Sequence, residues 1–146
     1  MDADGRTLLR VVPTSRVVET LATGATPTDV TVGAGGVWVA NGRRLRSAQF
    51  VGPVATAIAR LDPATGTERG TASLPQGGGA LSNLVDNHVT TSADAVWAIA
   101  PNFRVARLDA VTGRPTATTN AVPAAVIAAG RAGVWVAGVD GSVARL

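Results

Sequence analysis

The sequence of 146 residues lacks cysteine, lysine and tyrosine, and it has one histidine, His88. Without cysteine there is neither a disulfide nor a thiol nucleophile, and without lysine there is no Schiff-base chemistry. A single histidine also excludes a metal site built on two imidazoles. Charged residues make up only 16% of the chain and aromatic residues only 3%. These scarcities exclude several common enzyme chemistries and predict a protein that works through its shape.

Long apolar runs are missing as well. The N-terminal residues 1–6 are polar, and Leu8 and Leu9 alone are too short a stretch for the apolar core of a signal peptide. No run approaches the roughly 18 apolar residues that a membrane helix needs. We therefore expect no membrane segment and no signal peptide in this chain. That places the protein in the cytoplasm by default, or outside the cell if the chain belongs to a longer precursor.

An internal repeat dominates what is present. Hydrophobic residues are 46% of the chain, glycines number 17, and the formal net charge is only +3. The segments 30–41, 89–100 and 126–137 resemble one another, and each contains one of the three tryptophans, Trp38, Trp97 and Trp135. These tryptophans are expected to be packing residues, because they recur at one point of the repeat.

A second phrase follows the tryptophan phrase. Segments 58–66 and 105–113 both contain Ala-Arg-Leu-Asp and end in Thr-Gly, and a further copy begins at Val143. Residues 4–10 align with 140–146, so the chain begins and ends at the same phase of the repeat. The Asp-x-x-Thr-Gly ending predicts a hairpin turn, since the carboxylate accepts hydrogen bonds from nearby amides and glycine adopts a positive φ.

Each repeat predicts four short strands. Runs of β-branched and aromatic residues, four or five long and bounded by glycine or asparagine, are typical of buried strands. In the first full repeat the four strands, named a to d, are expected at 30–32, 37–40, 57–61 and 69–74.

Four-stranded units repeated about every 40 residues are typical of a β-propeller. We therefore predict an all-β fold of propeller blades, each a four-stranded antiparallel meander, with about three blades in an incomplete or half ring. Residues 1–25 would hold strands c and d of a first blade, and 121–146 strands a to c of a last one. Residues 26–75 would form the second blade with an insertion at 42–53, and 76–120 the third with an inserted loop at 76–86. A parallel β-helix is the competing fold, but its coils are shorter and need no hairpin turns.

The phrase Pro27-Thr-Asp-Val-Thr-Val-Gly-Ala-Gly-Gly-Val-Trp-Val-Ala-Asn41, followed by residues 59–66, resembles the YncE/YVTN-type bacterial propellers. It is also similar to the virginiamycin B lyase-like propellers. The resemblance covers nearly the whole chain and implies a binding or scaffolding module of about seven blades. Activity in the lyase-like group is associated with His and Glu residues around a bound metal. Here only His88, Glu19 and Glu68 are available, and both glutamates are expected on outer d strands.

The two insertions point to a working face. Connections b to c and d to a lie at the same end of an antiparallel meander, so insertions 42–53 and 76–87 project together. The first contains three arginines, whose forked guanidinium groups suit carboxylates, phosphates and acidic protein surfaces. The candidate binding residues are Arg43, Arg44, Arg46, Phe50, Asn83, Asn87, Asn102 and Phe103.

The sequence thus predicts a non-enzymatic module that binds a protein or a small anionic ligand on the insertion face, with no catalytic residue, metal ligand or cofactor. The alternative is a propeller-type lyase or hydrolase whose catalytic residues would lie mostly outside this chain. Nucleic-acid binding through Arg43, Arg44 and Arg46 is a less favoured alternative. The arginine-rich insertion is also consistent with a solvated loop that binds nothing. His88 is expected to be a packing residue. The open ring is completed either by missing blades on a longer parent chain or by a homodimer.

Overall fold

The computed structural model describes residues 6–12, 14–23, 25–46, 51–75, 89–100, 103–120, 122–130 and 132–146, with backbone alone over 43–46 and 51–55. Within these ranges the chain is all-β and contains no helix. The described residues form thirteen strands: β1 Thr7–Val12, β2 Val17–Ala22, β3 Thr26–Gly33, β4 Gly36–Arg46, β5 Val51–Leu61, β6 Glu68–Ser73, β7 Val89–Thr91, β8 Ala95–Ala100, β9 Arg104–Asp109, β10 Pro115–Thr119, β11 Ala124–Gly130, β12 Gly133–Gly138 and β13 Val143–Arg145.

The strands form four antiparallel sheets, none of which closes on itself. Sheet I contains β1 and β2, sheet II contains β3 to β6, sheet III contains β7 to β10, and sheet IV contains β11 to β13. Sequence neighbours pair in every sheet, as in a meander. The all-β, antiparallel part of the sequence prediction is therefore confirmed.

The Asp-x-x-Thr-Gly phrases form hairpin turns, as predicted. The Asp62 carboxylate accepts hydrogen bonds from the amides of Ala64 and Thr65, at 2.9 and 3.0 Å. Gly66 closes the turn by donating its amide to the Asp62 carbonyl at 2.8 Å, with a φ of 71° that favours glycine. Asp109 and Gly113 repeat this geometry between β9 and β10.

The structure shifts the alignment of the N-terminal segment by one residue. Six positions after Arg10 stands Arg16, with a φ of 55°, just as Gly66 stands six positions after Arg60. Arg10 is thus the counterpart of Arg60, Arg107 and Arg145, and not of Leu146. The sequence alignment missed this because Arg16 replaces the glycine of the turn phrase.

Neighbouring sheets pack face to face through apolar side chains, both large and small. Sheets II and III share a core that includes Trp38, Ile58, Val96 and Leu108. A second core joins Ile99 and Val105 of sheet III to Ile127, Val134 and Val136 of sheet IV, and a third places Leu8 of sheet I against Val39, Ala59 and Leu61 of sheet II. Alternation along each strand sends successive side chains to opposite faces, so both faces of the middle sheets are buried.

The first strands of sheets II, III and IV lie beside one another. Strand β7 contacts both β3 and β11. The Asp29 carboxylate of β3 accepts a hydrogen bond from the Val89 amide of β7 at 2.8 Å, and the Thr90 hydroxyl accepts one from the Ala129 amide of β11 at 3.3 Å. Polar side chains of the first strands thus link adjacent sheets.

Each tryptophan lies on the second strand of its sheet, beneath the arginine of the third strand. The Cζ atoms of Arg60, Arg107 and Arg145 lie 5.4, 5.8 and 5.9 Å from the ring centres of Trp38, Trp97 and Trp135, respectively. Trp38 is fully buried and Trp97 half-buried, whereas Trp135 is 48% exposed. The packing role predicted for all three is complete only for Trp38, which the turn after β9 in the following sheet covers.

Candidate functional site

A two-stranded hairpin projects from sheet II at the place of the first predicted insertion. Strand β4 pairs with β3 only as far as Gly42, and β6 pairs with β5 only from Ala57 onward. Beyond those points, among the residues that the structure describes, β4 and β5 pair only with each other, as far as Arg46 with Val51. We call residues 43–46 and 51–54 the projecting hairpin.

The insertion is therefore not the loop that the sequence predicted. Residues 42–46 and 51–53 belong to paired strands, while 47–50 lie outside the described residues. Pairing satisfies backbone groups that a loop would leave to water. The register shifts between Asn41 and Gly42, and such a bulge bends and twists the strands where the hairpin leaves the sheet. Arginine and glycine are poor strand signals, which hid these strands in the sequence.

Asn41 at the base of the projecting hairpin is a residue that the sequence interpretation passed over. Only 4% of it is exposed, and no described residue donates a hydrogen bond to its side-chain oxygen. Buried polar atoms usually have partners, so this acceptor stands out. The signal in the sequence was a departure from the repeat, since Ala100 and Gly138 occupy the same position after the other tryptophans.

The structure brings together only some of the predicted binding residues. Arg43, Arg44 and Arg46 lie on one strand of the projecting hairpin, where the backbone alone is described. Phe103 lies between β8 and β9, in the corresponding connection of sheet III. The other candidates, Phe50, Asn83, Asn87 and Asn102, lie outside the described residues, as do His88 and the second insertion, 76–87.

Phe103 has a structural task. It is half-buried, its φ of 63° is rare for a residue with a side chain, and its carbonyl accepts a hydrogen bond from the Ala124 amide at 3.0 Å. This bond joins the end of sheet III to the first strand of sheet IV.

The shifted carboxyl groups belong to turns. The Arg69 side chain, followed by the amides of Thr65 and Ala64, holds the pKa of Asp62 well below its usual range. The amide and hydroxyl of Thr112 lower the pKa of Asp109 in the same way. Both residues lie in turns between third and fourth strands, at the end of the sheets opposite the projecting hairpin. Their hydrogen bonds hold turns together.

The glutamates that a lyase would use are engaged elsewhere. Glu19 lies on β2 and forms an ion pair with Arg10 at 2.6 Å, and Glu68 lies on β6 and accepts a hydrogen bond from the Thr71 hydroxyl at 2.6 Å. Glu68 is on the fourth strand of sheet II, as expected, whereas Glu19 is on the second strand of the two-stranded sheet I. Across the described ranges no three His, Asp or Glu side chains are grouped as metal ligands would be. The same ranges hold no helix of a length and apolarity to cross a membrane.

The geometry of the projecting hairpin and the repeat of Trp–Arg pairs are thus the features on which a function can be argued. A scan against protein-family models found no match, and a search of curated proteins found none either. The resemblance to YncE-type propellers rests on the repeat itself.

Proposed function

We propose that the four sheets are blades of a β-propeller-type module, and that this module binds an acidic protein segment through the projecting hairpin. It acts by binding and not by catalysis. The observation that carries the proposal is a hairpin that extends beyond its sheet and holds Arg43, Arg44 and Arg46 on one strand.

Three features support the propeller arrangement. The strands follow one another as meanders, neighbouring sheets pack face to face, and the first strands lie side by side. Radial packing of blades about an axis has these features. The repeated Trp–Arg pair supports it too, because the same pair occupies the same place in sheets II, III and IV.

The composition of the projecting hairpin supports an acidic partner. Arginine stays charged at any physiological pH, and its planar fork matches a carboxylate with two parallel hydrogen bonds. A hairpin alone is marginally stable in water, but here both strands continue into sheet II, which holds the three arginines in place. A preorganised cationic strand loses less entropy on binding than a free loop does.

The test uses a fluorescein-labelled decaglutamate peptide and fluorescence anisotropy. The variant R43Q/R44Q is compared with R16Q/R114Q, which removes the same charge from exposed residues at the opposite end of the sheets. We expect R43Q/R44Q to weaken peptide binding about tenfold, the equivalent of about 1.4 kcal/mol, and R16Q/R114Q to leave it within about twofold.

Equal losses in both variants would show general charge attraction and refute the assignment to the projecting hairpin. A labelled thymidine oligonucleotide tests the alternative of nucleic-acid binding. Tighter binding of the oligonucleotide, with a steep fall as salt rises, would replace the acidic protein segment by nucleic acid.

A further inference from the structure

The contact between sheets II and III shows what a complete Trp–Arg site requires. Trp38 on the second strand lies beneath Arg60 on the third. The turn after β9 covers both, and Arg60 donates a hydrogen bond to the carbonyl of Val111 in that turn at 2.8 Å. The site therefore has three parts: a tryptophan, an arginine, and the turn of the following sheet.

Sheet I has the arginine and the turn but no tryptophan. Arg10 donates hydrogen bonds to the carbonyls of Pro63, at 3.2 Å, and Ala64 in the turn of sheet II. The chain has three tryptophans, and each already lies beneath another arginine. No described strand pairs with the edge of β1 that faces away from β2. One part of this site is absent from the described chain.

An apolar groove lies where that tryptophan would stand. Its volume is about 210 Å³, and it runs between sheets I and II. Its walls include Val30 and Val32 of β3, which are 44% and 71% exposed because the two strands that the structure describes in sheet I do not cover them. If sheet I follows the geometry of the other sheets, the groove is the place where a tryptophan-bearing strand would pair with β1.

Sheet IV has the tryptophan but no turn to cover it. Trp135 on β12 lies beneath Arg145 and is 48% exposed, and Val126 and Val143 on the same face are also exposed. In the part of the chain that the structure describes, no sheet packs on this face. Sheet IV therefore carries the part that sheet I lacks.

We propose that two copies of the chain form shared sheets, in which β11 and β12 of one copy lie beside β1 and β2 of the other. Strand β1 then takes the place of β13 beside β12. Trp135 enters the groove of the second copy and lies beneath Arg10 of that copy. Two-fold symmetry forms two such sheets, which closes the assembly at a dimer.

The outer face of sheet I supports the same arrangement. Leu9 and Val11 of β1 are exposed, whereas their counterparts Ala59 and Leu61 in sheet II are buried against the preceding sheet. In the shared sheet, Leu9 and Val11 face sheet III of the copy that supplies β11 and β12. An open groove lies there beside Trp97 and Arg107, lined also by Val105 and Leu146.

The exchange of strands replaces like with like. Strand β13 has three residues, and Val143-Ala-Arg145-Leu146 corresponds to Leu8-Leu9-Arg10-Val11 of β1. On dimerisation β12 loses its short pairing with β13 and pairs instead with β1 of the partner copy. It also gains the contacts of β2. Exchange of identical elements between protomers is a low-cost route to dimers for this reason.

Sedimentation velocity of the full chain at micromolar concentration tests the proposal. Val32→Glu places a charge in the groove, and Val111→Glu is the matched control, because Val111 is 77% exposed on a turn outside the shared sheet. We expect wild type and V111E to sediment as dimers, and V32E to raise the dissociation constant by more than about tenfold and sediment as a monomer. Circular dichroism checks that each variant keeps its strands.

A disulfide checks the register. Because Ala40 pairs with Ile58 in sheet II, the proposal pairs Ala137 of one copy with Leu8 of the other. The chain has no cysteine, so mixing A137C with L8C under oxidising conditions is expected to yield a covalent heterodimer. A monomeric wild type, a dimeric V32E, an assembly larger than a dimer, or no cross-link would overturn the proposal. None of these measurements involves the projecting hairpin or its ligand.

Discussion

At the scale of single residues, aspartates and arginines join the repeat together, and tryptophans fill it. The turn aspartates accept hydrogen bonds from amides of their own turns, and Arg10 and Arg60 donate to carbonyls of the following sheet. Tryptophan contributes apolar area that the many alanines cannot supply. At this scale, a few polar side chains stabilise the turns and the contacts between sheets, and the apolar side chains form the core.

The lowered pKa of Asp62 predicts how stability depends on pH. Its folded-state pKa lies below the unfolded value of about 3.9, so its stabilisation is present above that pH and is lost as pH falls through the folded value. We expect wild type to unfold at a higher temperature than Asp62→Asn at pH 7. The two melting temperatures should converge as the pH is lowered below about 4, as measured by circular dichroism. Parallel profiles from pH 7 to acid would contradict this role for the carboxylate.

At the scale of elements, the projecting hairpin is separable from the sheet beneath it. Within the described ranges its residues pair only with one another, so sheet II keeps all its other strand pairs without it. The proline at position 53 fits this location, since a hairpin with two free edges can leave one backbone position without an amide.

A deletion tests this separation. Residues 43–54 are replaced by Asn-Gly, which joins Gly42 to Ala55 by a two-residue turn at a pair that already exists. We expect the free energy of unfolding in urea to change by less than about 1 kcal/mol, because the hairpin adds little to the core. Decaglutamate binding should fall to the level of R43Q/R44Q or below. Loss of the folded state would show that the hairpin supports the sheet, contrary to this expectation.

Much of the element pattern could be predicted from the sequence, and the exceptions have physical causes. The buried runs around Trp38 and Trp97 and the turns at Asp62 and Asp109 are local signals, so their strands and hairpins were found. The extension of β4 and β5 was not, because its strands are held by pairing and not by strand-forming side chains. The candidate site was predictable only in part. Three arginines on one connection were visible, but Asn41 becomes notable only once its burial is known.

At the scale of the whole molecule, the sheets are coupled in sequence, each to the next. Arg60 and Arg107 occupy equivalent positions, yet they serve different contacts. Arg60 bonds to the turn of sheet III, whereas Arg107 bonds to Asp94 and Thr116 within its own sheet. The difference follows from what lies beyond each sheet.

This difference predicts unequal effects of one substitution, measured in the monomeric V32E background so that the partner copy plays no part. Arg60→Met removes a hydrogen bond between sheets and uncovers a buried indole, and we expect it to cost about 1–2 kcal/mol in urea unfolding. Arg107→Met removes a surface ion pair over a half-buried indole and should cost less than about 1 kcal/mol. Equal costs would mean that the turn contact of Arg60 adds nothing to coupling between sheets.

Arg10 and Arg60 donate their hydrogen bonds to backbone carbonyl oxygens, which every residue has. The arginine of one sheet can therefore form this hydrogen bond with the turn of the next sheet whatever side chains that turn carries. Duplicating a repeat unit would keep this arginine contact without a matching change in the turn of the adjoining unit. Such a chain can lengthen by copying, and the similarity of its segments is the expected trace of that history.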